Sequence, residues 1–469
     1  MKLPNTSELK PYPEMKNSGV PWLGELPAHW EVLPLCAVVT PKSISGQQHR
    51  ELLSVYLDRG VILFSEVEEK RTNVTSEDLS KYQAVDPGDF VLNNQQAWRG
   101  SVGVSNLSGI VSPAYLVLSL NQRLHTGFAN LLFRERVMVS QYLVCSRGVG
   151  SIQRNLYWPH LKRVVFPSPP LPEQTAIVRF LDHSDRRIRR YIRAKQKLIA
   201  LLEEQKQAII HQAVTGQIDV RTGEPYPSYK DSGVEWLGEV PTHWELRRVK
   251  QVAQVLRGKF THRPRNDPSL YDGPYPFIQT GDVAQAEKAI TRYRQTLNKN
   301  GLAVSQMFPA GTLVMTIAAN IGDVAVLDFE ACFPDSVVGF VPQNGVEREY
   351  LFYVFRAMKP ELLREAPVNT QGNLNVDRIG SRGIAVAPVC EQGLIVRQIE
   401  ASTARLNTAA SRASHQINLL QEYRTRLIAD VVTGKLDVRE AAAELPAEAV
   451  PGDAEESAEE HIIEEAVNV

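Results

Sequence analysis

SGVPWLGELPAHWE, residues 18–31, returns as SGVEWLGEVPTHWE, residues 232–245, with 11 of 14 positions unchanged across an interval of 214 residues. A chain that carries one Trp-rich phrase twice is built from two copies of a unit, and the extent of that unit decides the fold. PYP at 11–13 recurs at 225–227. LPEQTAIVRFLD, from Leu171, is echoed by VCEQGLIVRQIE, from Val389. AVTGQIDVR, ending at Arg221, is echoed by VVTGKLDVR, ending at Arg439, an offset of 218. Each copy therefore reads as a Trp-rich entry, about 140 residues of variable sequence, a long helix, and TG-[QK]-[IL]-DVR.

The helices follow from spacing. No Pro or Gly interrupts the chain between Pro172 and Ala213, and the composition favours helix. Alternate steps of four and three give Ile177, Leu181, Ser184, Ile188, Tyr191, Lys195, Leu198, Leu202, Gln205 and Ile209, seven of them apolar. The second copy gives Ile395, Ile399, Ser402, Leu406, Ala409, Ala413, Gln416, Leu420, Tyr423 and Leu427. This is a heptad seam with polar interruptions, on helices about 60 Å long. Such a stripe must be buried, and the other copy is the expected partner, in an antiparallel coiled coil. Arg186, Arg190, Arg193 and Lys197 fall roughly opposite the first seam, as a solvated basic face or a contact for phosphates or an acidic partner.

The variable segments share little sequence. Short apolar runs broken by turn signals, VDPGDFVLNNQQ in the first and FPAGTLVMTIAAN in the second, predict mixed α/β (α+β) domains. The expected division is an entry segment 1–31, a first domain 32–170, a helix 171–221, a linker with the repeated entry 222–245, a second domain 246–388, a second helix 389–439, and a tail 440–469. The tail holds ten acidic residues and no Lys or Arg, a composition expected to be disordered. Without it the chain has 52 basic against 43 acidic residues, which permits a polyanionic partner. With 469 residues, 43% hydrophobic and 22% charged, a soluble protein of at least two domains is expected. No apolar window suits a membrane span and the start has no signal-peptide core, so a cytoplasmic protein is expected. The scattered Cys36, Cys145, Cys332 and Cys390 fit reduced thiols, neither a disulfide framework nor a zinc site.

Catalytic signatures are scarce. The chain has no GxxxxGK[ST], GxGxxG after a strand, HExxH or GxSxG, and no metal or cofactor is expected. Asp58, Glu68 and Lys70 superficially fit the D…ExK of metal-dependent nucleases, the alternative enzymatic reading. His29 and His243 recur in HWE without a second His or Cys nearby and read as structural. Trp22, Trp30, Trp236 and Trp244 are expected to anchor a packing joint against the helices.

Polar clusters point to recognition. In the first domain Asn93, Asn94, Gln95, Gln96, Trp98 and Arg99 form one turn-like stretch, and Ser151, Gln153, Arg154, Asn155 and Tyr157 another. In the second, Arg257, Lys259, Thr261, His262, Arg263 and Arg265 form a basic loop, with Asn369, Thr370, Gln371, Asn373 and Asn375 placed as 151–157 are in the first. Asn and Gln can bond bidentately to adenine and Arg to guanine, while Ser, Thr and Lys suit phosphates.

The repeated W-L-G-E-x-P-x-H-W, the PLPEQ and VCEQ helix starts, and VTG[QK][IL]DVR resemble the specificity subunit of type I restriction–modification enzymes, over residues 11–439. The resemblance implies a non-catalytic subunit with two target recognition domains, each reading half of a split double-stranded DNA site, held apart by two conserved helices in a pseudo-twofold repeat. It further implies two methyltransferase (modification) subunits docked on the helices and restriction subunits joining the complex for defence against foreign DNA. Cys390, where the first copy has Leu-Pro, departs from the pattern and puts the local helix cap in question. A partner-free regulator binding a two-part site is a third reading. The N-terminal segment is expected beside the second VTGKLDV.

Overall fold

The computed structural model describes residues 9–57, 59–67, 78–149, 153–364 and 374–446. The chain divides into two compact units, one of residues 1–196 with 415–469, the other of residues 197–414.

In the first unit an antiparallel sheet is built from β1 (Val39–Lys42), β2 (Asp89–Asn93), β3 (Val102–Val104) and β4 (Tyr115–Leu120), in the order β1-β4-β2-β3. In the second, β5 (Ala253–Arg257), β6 (Leu313–Thr316), β7 (Val324–Leu327) and β8 (Val337–Pro342) repeat that order as β5-β8-β6-β7, with Ala289–Ile290 added at the edge. The central strands are buried on both faces, which is why they read as unbroken apolar runs. Phe90 and Leu92 face the core that includes the long helix, while Val91 faces a smaller one with Leu53 and Val117. Leu313, Met315 and Val314 divide between two cores in the same way.

Each domain is closed by a two-stranded ribbon joining its first and last residues. Glu31–Pro34 pairs with Val165–Ser168, and Glu245–Arg248 with Gly383–Val386. The chain then enters α1 (Leu171–Thr215) or α2 (Val389–Val432). In both, the third and fourth helical amides bond to a proline carbonyl, Pro170 or Pro388, so Cys390 leaves the helix start unchanged. Gln174 fastens α1 to its domain, its side-chain oxygen accepting from the His125 amide and its NH2 donating to the Arg123 and Pro169 carbonyls. Gln392 does the same with the Glu347 amide and the Gly345 and Ala387 carbonyls.

The expected helix pairing holds within each unit. In the first, Ile177, Phe180 and Leu181 of α1 share a core with Leu427, Val431 and Val432 of α2, and Asp185 pairs with Arg424. In the second, Ile210, Ala213 and Val214 near the end of α1 share a core with Ile395, Val396 and Ile399 at the start of α2. Beginning meets end in both, the sense of an antiparallel pair. Arg186, Arg193 and Lys197 are exposed, whereas Arg190 is half-buried.

The repeated phrase makes a joint at each helix start. Glu173 is buried, and its carboxylate accepts from the Tyr12 hydroxyl (2.6 Å), His29 Nε2 (2.7 Å) and Trp30 Nε1 (3.0 Å). Glu391 accepts from Tyr226 (3.1 Å), His243 (3.0 Å) and Trp244 (3.1 Å). The histidines are thus structural, and Trp30 and Trp244 are fully enclosed. The DVR arginines complete the knots. Arg439, paired with Asp437, lies 5.2 Å over the Tyr12 ring, and Arg221, paired with Asp219, 5.9 Å over Tyr226. The Asp219 amide donates to the Glu224 carbonyl, and the Asp437 amide to that of Lys10, so the N-terminal segment does lie against the second VTGKLDV. Burial, then the Glu173 bond and charge, holds the Tyr12 phenol well above its ordinary range; Tyr226 is raised by the same kinds of cause.

The TG of each closing phrase ends its helix. Thr215 and Thr433 donate to the carbonyls four residues back, and Gly216 and Gly434 take left-handed φ of 75° and 80°. A Cβ on Gly216 would sit 2.4 Å from Pro241 Cδ, and one on Gly434 2.5 Å from Pro27 Cδ, both prolines belonging to the Trp-rich phrase. Gly216→Ala and Gly434→Ala combine a strained φ with that clash. Each is expected to destabilise its unit by about 2–3 kcal/mol, measured by denaturant unfolding.

Candidate nucleic-acid interface

In the first domain the chain leaves β2 at Asn93 and turns through a short helical stretch, Ala97–Arg99, before β3. Asn93 Oδ1 accepts from the Gln95 amide and Trp98 Nε1 donates to the Gln95 carbonyl, which fixes the turn. A hairpin, Ser146–Val149 with Gln153–Leu156, is tied to it where the Leu156 amide donates to the Asn94 carbonyl (3.1 Å). The two first-domain clusters are therefore one surface. Its centre is Trp98, with the Arg99 guanidinium 4.6 Å from the ring centroid and that of Arg154 5.9 Å away. Arg147 lies 4.1 Å over the exposed Tyr157. Gln95, Arg99 and Asn155 are exposed, Asn94 and Gln96 half-buried. Ser151 lies outside the described residues.

In the second domain Arg257 ends β5, and Lys259, Thr261, Arg263 and Arg265 are exposed in the loop that follows. This loop is a braced structure. Arg263 and Arg265 both pair with Asp335, His262 Nε2 meets Asp267 at 3.2 Å, and Arg263 also donates to the Phe260 and His262 carbonyls. Bracing one end of a guanidinium against a carboxylate leaves further N–H groups for a nucleic acid. Asn369, Thr370, Gln371 and Asn373 lie outside the described residues, as do Asp58, Glu68 and Lys70. Asn375 is engaged as a helix cap, its side chain accepting from the Asp377 amide.

The structural repeat exposes a segment that sequence reading missed. β1 and β5 occupy the same place in the two sheets, so the basic loop after β5 has its counterpart in residues 43–50, after β1. That loop carries exposed Gln48 and His49, with Arg50 and Lys42 braced on Asp86. The two hydrogen bonds from Lys42 and Arg50 hold the Asp86 carboxyl below its ordinary value. Only the strand register, offset by 214 here, could have pointed to it.

Among the described residues no group of three or more His, Cys, Asp or Glu is placed to hold a metal ion, and no helix is long and apolar enough to cross a membrane. The duplicated sheet domains, each with braced polar loops and each seated on a glutamate-centred joint, form a structurally repeated scaffold. Comparison with known proteins places it. Residues 241–417 match the type I restriction modification DNA specificity domain. The MjaIX specificity subunit of a type I restriction enzyme from Methanocaldococcus jannaschii is 26% identical over 123 residues, 26% of this chain and 28% of that protein. The MjaVIII specificity subunit from the same organism is 24% identical over 249 residues, 50% of this chain and 52% of that one. The chain thus spans about half or less of the curated relatives it matches. A chain from a structural study of the complex assembly and conformational transition of a type I R-M system shares the fold, with a TM-score of 0.60 at 17% identity over 88% of this chain and 99% of that one. Over these stretches the chain is similar to type I restriction enzyme specificity subunits, and it shares their fold.

Proposed function

We propose that this chain is the non-catalytic DNA-reading subunit of a type I restriction–modification complex. Its two domains, 32–170 and 246–388, each address one half of a split double-stranded target, and α1 and α2 carry two methyltransferase subunits, to which restriction subunits are added. The complex works in the cytoplasm, on host and incoming DNA. The observation that carries this reading is the contrast between an identical joint and divergent loops. Glu173 and Glu391 accept from the same three residue types, whereas the loops on the two equivalent sheets share almost no sequence. Selection for one geometry with two surface chemistries is what a bipartite site on a regular duplex demands.

The 93–99 and 153–157 surface is assigned to one half-site, and the 257–265 loop with 369–375 to the other. Amide and guanidinium groups of both suit base edges, and the indole of Trp98 beside two arginines suits the backbone and sugar edge. Gln95→Ala and Arg99→Ala are each expected to weaken binding at one half-site by about 1–3 kcal/mol and leave the other unchanged, read with duplexes permuted in one half at a time. The reading as a whole is tested by mapping methylated bases in host DNA with and without the gene. Loss of a single split motif supports it; an unchanged methylation pattern, in a host whose methyltransferase partner is expressed, overturns it.

A further inference from the structure

We propose that Asn320 is a specificity-determining residue of the second domain, reading the adenine of an A·T pair from the major groove. The inference rests on the DNA-reading function above and names a site within it.

The register of the two sheets carries the argument. Phe90 pairs with Val104 and Leu313 with Val326; Leu92 pairs with Leu116 and Met315 with Val338. β2 therefore superimposes on β6 with an offset of 223, and the alternation of Phe90, Val91 and Leu92 between two cores recurs in Leu313, Val314 and Met315. Beyond the strands the correspondence continues. The Leu156 amide donates to the Asn94 carbonyl, and the Leu374 amide donates to the Ile317 carbonyl at 2.9 Å. Asn94 and Ile317 are again 223 apart. The turn from β6 to β7, residues 317–323, is thus the counterpart of the Asn94–Ser101 turn that bears Gln95, Trp98 and Arg99.

This turn is rigid and nearly featureless except at its tip. Ile321 is buried, the Gly322 amide donates to the Thr316 carbonyl, and the Thr316 hydroxyl donates to the Asn320 carbonyl. Asp323, at its foot, pairs with Lys359. Ala319 is held at φ 59°, a left-handed conformation that a residue with a Cβ seldom adopts. Asn320 is exposed, and its side-chain amide makes no hydrogen bond among the described residues. A braced turn that presents one amide to solvent is pre-organised for a partner that offers a donor and an acceptor together. Adenine N6 and N7 are that pair on the major-groove edge, and the methyl groups of Ala318 and Ala319 beside it suit the thymine methyl.

The test uses the full-length chain assembled with its methyltransferase subunits and a duplex library randomised across both half-sites. Asn320 is exposed and among the described residues only its backbone oxygen accepts hydrogen bonds, so Asn320→Ala and Asn320→Asp are expected to fold as the parent does. Asn320→Ala should lower the preference for A·T at one base pair of one half-site by roughly 10- to 100-fold and leave every other position as it was. Asn320→Asp, which loses the donor pattern for N7, should lose the same position. A Gln95→Ala control should change only the other half-site. An unchanged preference, or a loss spread evenly over all sequences, would overturn the assignment. If the parent complex itself selects no split site, it is the underlying functional reading that fails, and the two failures are read from different lanes of the same experiment.

Discussion

Glu173→Ala is expected to destabilise the first unit by about 4 kcal/mol, and Glu391→Ala the second by a similar amount. The magnitude follows from what is left behind. The Tyr12 hydroxyl and the Trp30 indole N–H are buried donors whose acceptor among the described residues is Glu173 Oε1, and each unpaired buried donor costs about 1–3 kcal/mol. Loss of the carboxylate also strips the charge from beside Arg439 and opens a gap under a fully enclosed tryptophan. Glu173→Gln separates these effects. Its amide oxygen can still accept from Tyr12 and Trp30, and its NH2 can donate to a neutral His29. The charge-assisted character alone is lost, at about 1–2 kcal/mol. Denaturant unfolding of the three variants should therefore rank parent, Gln, Ala. Equal stability of the Ala variant and the parent would show that the knot follows the fold and does not hold it. Because Tyr12, His29 and Trp30 come from the N-terminal segment, Arg439 from the C-terminal one and Glu173 from between them, the Ala variant should also free both chain ends to proteolysis.

The joint was the most legible part of the sequence, and for a physical reason. Every residue in it is fixed by a specific partner: Glu by three donors, Gln by two carbonyls and an amide, Gly by a left-handed φ, and Thr by a helix carbonyl. Such positions admit few substitutions, so the two copies stayed alike and the repeat announced itself. What spacing alone did not give was the division of labour in the EQ pair, where Glu173 faces the entry phrase and Gln174 faces the domain.

The helical seam was legible along part of its length. Ile177, Leu181, Ser184, Ile188 and Leu198 are buried in step with the heptad. Past Leu202 the buried positions become Ile210, Ala213 and Val214, while Gln205 is exposed. The last turns of α1 pack into a domain core that includes Trp244 and Tyr226, and a core surrounding a helix end selects different faces from a coiled-coil seam. Gln416 in α2 is likewise exposed. The loops proposed to read DNA were the least legible. Exposed polar residues carry no periodicity, so density of amides and arginines was the only signal. That signal singled out the 93–99 turn, which is rich in them. It passed over 316–323, whose one exposed amide stands among Ile, Ala and Gly, and over 43–50, which matches the 257–265 loop in position but not in composition. Strand register, invisible until the sheets are paired, places both as counterparts of the singled-out loops.

Replacing the first domain alone is expected to change one half of the target and nothing else, provided the cut is made where the fold is indifferent to sequence. The ribbon of Glu31–Pro34 with Val165–Ser168 brings the domain's two ends together through backbone pairs. A relative's segment inserted for residues 32–170 needs only to supply a strand at each end to rebuild it. The attachment to α1 is equally tolerant, because the hydrogen bonds of the Gln174 side chain go to backbone groups, the amide of residue 125 and the carbonyls of residues 123 and 169. The constraint that remains is apolar. Phe128, Phe133 and Phe166 share the core that holds Ile177, Phe180 and Leu181, so a graft whose helix at 126–133 presents smaller residues should fold less stably by about 3–5 kcal/mol per lost aromatic ring. With that face preserved, methylation mapping of the hybrid complex should return the parental second half-site at its parental spacing, joined to the donor's first half-site. A hybrid that kept both parental halves would place base reading outside the inserted domain, and one that changed the spacing would show that the domain, and not the helix pair, sets the distance between the two halves.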